Sequence, residues 1–435
     1  MTSPLVTVTL RHEAGALMAR LAHAKPFGLH MPMVAAAEPP AAARWAIDAH
    51  MARLLRDIRN AVTGFVAWLL SPAGRAVPDA TAQARFALLR LRSLIAFTQF
   101  DLFSDALTQR SEHEFGVWLA GLDGLAADGL RLHGGYYTPP PALCYLDRGA
   151  GAAIRRARTR LPGGGENPVA LIRVPRERMI GAGIGSSLIH EVGHQAAALL
   201  DLVASFHPVV GALEAKAGPE SLAWRLWQRW LSEIVADFWS VAHLGIGSTI
   251  GLMSVVSLPR AFVFRLKLDD PHPTPWVRVL LSAAMGESLY PDPQWIRLRR
   301  LWQALYRRQG LDVESERAFR LVEATLPTFV GLLVNHRPAS LGGASLAEAL
   351  PTRDRQPPRL RALFSRASRD PAAWLAMRPT LAFAAIGQAR ADRKLGPWPE
   401  ASLINRLLIQ WASRRPIHAT TDRRCTACAA AAHAN

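Results

Sequence analysis

The chain has 435 residues, with 51 lysines and arginines against 34 aspartates and glutamates, a formal net charge of +17. Half of the residues are hydrophobic and a fifth are charged, which excludes a largely disordered chain and allows two or three core-forming units. The charge invites a nucleic-acid or anionic-membrane reading, but only Lys25, Lys216, Lys267 and Lys394 are lysines, and no helix-turn-helix, finger or RNA-binding signature accompanies the arginines; this argues against nucleic acid and leaves contact with a membrane surface open.

Residues 1–40 contain prolines and alanines and end in Glu38-Pro39-Pro40, so a loosely structured lead-in is expected. Met1 to Arg11 has no basic start followed by an uninterrupted apolar run. It is not a Sec-type signal peptide, and a cytoplasmic protein is the expectation. Residues 41–132 read as a helical N-terminal region. Trp45, Ile47, Met51, Leu54, Leu55 and Ile58 recur at helical steps, and Phe86, Leu88, Leu89, Leu91, Leu94, Ile95 and Phe97 form a second run.

The texture changes over residues 133–290. A Gly-Tyr-Pro loop at 134–141 precedes a strand candidate over 143–146. Residues 150–160 read as a helix stopped by Pro162 and the three glycines that follow it. Residues 169–174, between Pro168 and Pro175, form the strongest strand candidate. Helices are expected over 181–202 and 222–244. Residues 244–258 are apolar but short and broken by glycines and serines, which suits a buried helix better than a membrane span. Residues 291–414 read as helical again, with helices over 295–306, 314–333 (interrupted at Pro327), 371–391 and 400–414, and a loop over 351–358. Residues 415–435 read as a flexible tail holding Cys425 and Cys428. Cys144 is the third cysteine, so there is no disulfide framework. The expected fold class is mainly α with a small β element.

The chemistry sits in Ser187-Leu-Ile-His190-Glu191-Val-Gly-His194-Gln195. His190 and His194 stand one turn apart, so both imidazoles leave one helix face. Two such nitrogens can bind one Zn²⁺ at about 2.0–2.1 Å. Glu191 sits beside them, placed to reach an activated water rather than the metal. Random placement at this composition gives about 0.02 such motifs per chain, so context decides. The motif lies on a predicted helix after a predicted strand. Small residues precede it, and Gly193 lies inside it although glycine costs about 1 kcal/mol against alanine there. On a later predicted helix, Glu233 and Asp237 stand four residues apart and share a face. His207 and His243 are nearby alternatives as a third ligand.

A metzincin would continue with Gly and His where this chain has Ala197 and Leu200. HExxH followed by Glu233 and Asp237 instead resembles the gluzincin zinc metallopeptidases. The nearest likeness is to the CAAX-prenyl-protease and heat-shock-protease branch. Its His-Pro segment and following arginine are matched by Asp270-Pro271-His272-Pro273 and Arg278. The resemblance spans about residues 143–290, without that branch's transmembrane helices. It implies a zincin-like catalytic core over 133–290, flanked by helical regions. It further implies Glu233 as third zinc ligand, with the fourth position open, and Asp237 as partner of a ligand histidine's spare N–H. His272 and Arg278 would stand near the substrate or the oxyanion, although Arg278 equally suits an ion pair with Asp269 or Asp270. By analogy with zinc peptidases generally, Tyr136, Tyr137 and Tyr290 are candidate oxyanion donors, with aromatic packing as the alternative. Trp224, Trp227 and Trp230, three residues apart, read as core packing. The implied activity is zinc-dependent hydrolysis of a protein or peptide substrate, with Glu191 as general base. The competing class is a non-enzymatic helical interaction protein with a structural or inactive zinc site and a basic docking surface.

Overall fold

Apolar residues at three- and four-residue steps turn most of this chain into helices. The structure is a computed structural model that describes residues 1–27, 33–147, 152–176 and 181–414. It is mainly helical with one three-stranded sheet. Cys425 and Cys428 lie outside the described residues. The chain forms two compact units.

The first unit takes residues 1–121, 158–169 and the end of the chain from 409. Helices α1 (Pro4–His23), α2 (Ala41–Leu70) and α3 (Asp79–Thr108) pack on one another. The lead-in expected to be loose is therefore largely helical. Ser3 caps α1 by accepting from the Val6 amide, with Pro4 at the first helical position. The Thr2 hydroxyl bonds the Gly74 and Val77 carbonyls. α2 buries Ile47, Met51, Leu55, Ile58, Val62, Phe65 and Leu69, a continuous helical stripe. α3 buries one polar residue with a specific task. The Gln99 amide donates to the Pro162 and Gly164 carbonyls at 2.7 and 3.0 Å. Gln99 thereby anchors the Gly163–Gly165 turn, whose three residues all have positive φ. α4 (His113–Gly129) continues into the second unit.

The second unit carries the sheet, in the order β1-β3-β2. Strands β1 (Ala142–Asp147), β2 (Ala153–Arg155) and β3 (Ala170–Pro175) pair parallel across β1 and β3 and antiparallel across β2 and β3. A helix was the expectation over 150–160, but Ile154 pairs with Ile172 in an edge strand. The arginine-rich run there has no apolar stripe to bury as a helix, and the Ala157 amide instead donates to the buried Gln195 side chain at 2.7 Å. Residues 148–151 lie outside the described residues.

Helix α5 (Gly183–Leu199) carries the HExxH motif. It ends where Asp201 takes a left-handed conformation, and α6 (Leu202–Glu214) leaves at 82°. α7 (Ser221–Leu244) is the central helix and is almost wholly buried from Trp230 onward. The tryptophan stripe is core packing. Trp227 stacks on Phe329 at 4.5 Å, and its indole N–H donates to Thr325. Gly193 explains itself against α7. A Cβ at that position would meet the Ala236 Cα at 2.8 Å and the Ala236 carbonyl oxygen at 2.9 Å. Only glycine allows the two backbones this close.

The remaining helices of eight residues or more enclose this pair. They are α8 (Ile246–Val256), α9 (Pro275–Leu289), α10 (Gln294–Leu305), α11 (Val313–Asn335), α12 (Pro357–Arg369), α13 (Pro379–Ala391) and α14 (Pro397–Ser413). Three expectations fail here. The helix expected over 371–391 is two, Ala372–Ala376 and Pro379–Ala391, divided at the extended residue before Pro379. α11 runs through Pro327 without a break, because Phe319, Val322, Phe329, Val330 and Leu333 bury one face on both sides of it. The segment from Pro357 is a helix rather than the end of a loop, started by the favourable proline at its first position. Arg393, just past α13, has φ of +57°, a conformation that costs a non-glycine residue about 1 kcal/mol. Among the described residues, α11 is the one helix long and apolar enough to cross a membrane, and half of its apolar window is buried inside the protein.

Candidate metal centre

Two helices build the site. His190 and His194 project from one face of α5, with ring centroids 4.8 Å apart and planes at 85°. Glu233 and Asp237 project from the facing side of α7. The ligand atoms of His190, His194 and Glu233 all lie within 4.8 Å of one another, so this group can hold a metal ion. His190 Nε2 is 3.3 Å from Glu233 Oε2, and His194 Nε2 is 3.4 Å from Glu233 Oε1. A tetrahedron with zinc–ligand bonds near 2.05 Å has an edge of about 3.3 Å. The donor set suits a metal ion, with each histidine facing its own oxygen of Glu233.

Each of the three candidate ligands is held by a second group. His190 Nδ1 lies 2.7 Å from Asp237 Oδ1, which fixes the tautomer and turns Nε2 toward the site. His194 Nδ1 lies 3.4 Å from the Ser232 hydroxyl. Arg278, from α9, donates to both oxygens of Asp237 at 2.6 and 2.8 Å and stands 3.6 Å from Glu233 Oε2. Its acidic partners are thus Asp237 and Glu233. A fork-shaped donor reaches two carboxylate oxygens at once, and burial strengthens the pair.

The charges follow from these contacts. Burial alone would pull the His190 imidazole down, but the charge and hydrogen bond of Asp237 and the contact with Glu233 outweigh it and raise it to about 9. Burial raises Glu233, yet bonds from both histidines hold it far below the carboxylate range. Asp237 is likewise raised by burial and lowered further by Arg278 and His190, to about 2. Glu191 differs. Burial dominates and pushes its carboxyl up, against the pull of His190 and His194. Two carboxylates near one cation site are thus set apart by environment.

The cavity over the site has a volume of about 490 Å³. Glu191, His272 and Arg278 border it with the three ligands. His272 is exposed on the loop before α9. Its amide and Nδ1 meet Asp270 Oδ1 at 2.9 and 3.0 Å, and its Nε2 is 3.7 Å from Glu233 Oε1. The other candidates are committed elsewhere. The Tyr137 hydroxyl donates to the Leu130 carbonyl and the Tyr290 hydroxyl to the Ala242 carbonyl. His243 is buried against Trp239, and His207 lines a neighbouring pocket beside His194 and Ser232. Sequence reasoning missed Ser232, which its place beside Glu233 could have suggested. It also missed the apolar wall of Leu252 and Val255 from α8 and the β2 edge at Ala153 and Ile154.

No family model, curated protein or solved structure matches this chain. The site must be read from its own geometry.

Proposed function

We propose that this chain is a zinc-dependent metallopeptidase with a gluzincin-type ligand set, acting on a protein or peptide substrate. One observation carries the reading: the ligand atoms of His190, His194 and Glu233 lie within 4.8 Å of one another, while Glu191 borders the same cavity without joining them. When bound, zinc would polarise a scissile carbonyl and acidify a water. Glu191 takes the proton of the attacking water and passes it to the leaving amine nitrogen. Its burial suits both acts, since a raised carboxyl takes a proton readily and still releases it. Asp237 holds His190 in the tautomer that leaves Nε2 available. Arg278 is a positioning residue for Asp237, since its Nε and Nη2 donate to both oxygens of that carboxylate. His272 has an exposed imidazole on the cavity rim, suited to meet a developing oxyanion.

The test combines metal content with cleavage. Purified protein is expected to carry one zinc per chain and to cleave a mixed peptide library. A chelator removes the activity and added zinc restores it. Glu191→Gln keeps the zinc and lowers kcat by about 10³-fold. A wild type that holds zinc but cleaves no library peptide would instead favour a structural site in an interaction protein.

A further inference from the structure

A second cavity lies across α8 from the metal centre. Ser248, Leu252 and Val255 of α8 face the first cavity, whereas Ile250, Met253 and Ser257 face the second. The second has a volume of about 1100 Å³. Its apolar lining is Ile246, Ile250 and Met253 of α8 with Leu298 and the half-exposed Leu301 of α10; Ser254, Ser257 and Gln294 also line it, and each bonds within the protein. Its rim is basic. Arg297 comes from α10, and Arg393 and Lys394 follow α13.

The rim charges are not spent inside the protein. Asp392 is the one carboxylate among the lining residues, and Arg361 takes both its oxygens at 3.0 and 3.3 Å. Arg390 reaches Glu400 at 3.4 Å. Among the described residues, Arg297, Arg393 and Lys394 make no ion pair.

Helix dipoles do not account for all three. Arg393 and Lys394 follow a helix C-terminus, where cations are favoured. Arg297 stands near the N-terminus of α10, where a cation is disfavoured. Arg393 adds a second oddity. The Lys394 amide closes α13 on the Ala389 carbonyl at 2.8 Å, and Arg393 occupies the left-handed position that helices usually give to glycine. The backbone there is strained for a side chain, and the side chain present is a cation at the mouth of an apolar cavity.

We propose that this cavity binds an anionic amphiphile. Its single carboxylate or phosphate head would be held by Arg297, Arg393 and Lys394, and its unbranched apolar chain would lie on the floor between α8 and α10. The division of lining residues decides the class. An acidic peptide carries charges and amides along its whole length, and the apolar side chains would leave most of them without partners, since Ser254, Ser257 and Gln294 already bond within the protein. A head with one charged end and a tail with no polar atoms matches both parts.

The test is calorimetric titration of the full chain with decanoate, decyl phosphate and decanol, all below micelle formation. The expected result is that one or both anions bind at least 10-fold more tightly than decanol. The tighter of the two identifies the head. Arg393→Gly keeps the backbone conformation, so it is expected to raise the thermal midpoint while weakening the anion at least 5-fold. Arg297→Gln weakens it similarly with little change in midpoint. Equal affinity for decanol, or unchanged affinity in both variants, overturns the proposal. So does binding of polyglutamate or anionic vesicles by a protein that ignores monomeric decanoate and decyl phosphate.

Discussion

His190 is largely buried and His243 fully buried in the second unit, and each belongs to a network with an arginine and a carboxylate. Their surroundings push them in opposite directions. His190 meets Asp237 directly and is raised to about 9. His243 gives Nδ1 to the Trp239 carbonyl, and burial lowers it to about 4. In its network the charges pair elsewhere. Arg355 donates to the His243 carbonyl and to Thr380, Thr380 donates to Asp128, and Arg378 closes on Asp128 at 2.6 Å. That network stitches α4, α7 and α13 together and leaves no converging donors at a cavity. The first network leaves two imidazole nitrogens and a carboxylate facing open space. A buried histidine with charged neighbours is therefore no sign of a site by itself. Donors left over after mutual pairing are the sign.

The contrast breaks most visibly at its carboxylates. Asp237→Asn is expected to lower zinc affinity by about 10- to 100-fold, measured by competition with a chromophoric chelator. Asp128→Asn should leave zinc affinity unchanged and cost about 3 kcal/mol in urea unfolding, because it strands Arg378 and Thr380. If both changes alter zinc affinity alike, the two networks are one.

Acidity sharpens the comparison. The ion must displace the proton that His190 holds up to about 9. Zinc affinity should therefore rise about tenfold per pH unit from neutral to about 9 and level off above. The stability of metal-free protein runs the other way over that range. The share contributed by His190 is complete below the unfolded value near 6.5 and is lost as pH rises through about 9. The share tied to His243 has the opposite sign. It is complete above about 6.5 and is lost as pH falls toward about 4, because the unfolded chain takes up the proton that the native state refuses. His243→Gln is the smallest effect of the set. It should flatten the acid side of the stability profile and leave zinc content at the wild-type level.

Local spacing was legible in the sequence. HExxH on a helix and Glu233 with Asp237 one turn apart follow from the helical repeat, which needs no knowledge of the fold. That the two helices face each other across a gap of about forty residues is a tertiary fact, reached only through a family resemblance. The partner of Arg278 was harder still. Asp269 and Asp270 are near it in sequence, but the turn into α9 sends Arg278 toward α7 and sends His272 toward Asp270. The β2 strand was hidden because three residues of edge pairing outweigh a weak helical pattern only when β3 is already in place. The helix over Pro4–His23 was hidden by the proline-containing stretch that follows it up to Pro39-Pro40, although its cap at Ser3 was present to be read.

The contact of Gly193 with Ala236 bears on how such a site could be recognised elsewhere. α5 and α7 touch backbone to backbone between the two pairs of polar residues, so the distance from the histidine turn to Glu233 is gauged by main chain and not by rotamers. The two middle positions of HExxH are then unequal. Val192 is an ordinary buried side chain, whereas position 193 has room for hydrogen alone. A search string for chains built this way should read HExGH, with a small residue one turn after a downstream serine-glutamate pair and an aspartate directly behind it. In that string the glycine and the small residue answer to the packing of the two helices, and three of the other letters are the candidate metal ligands.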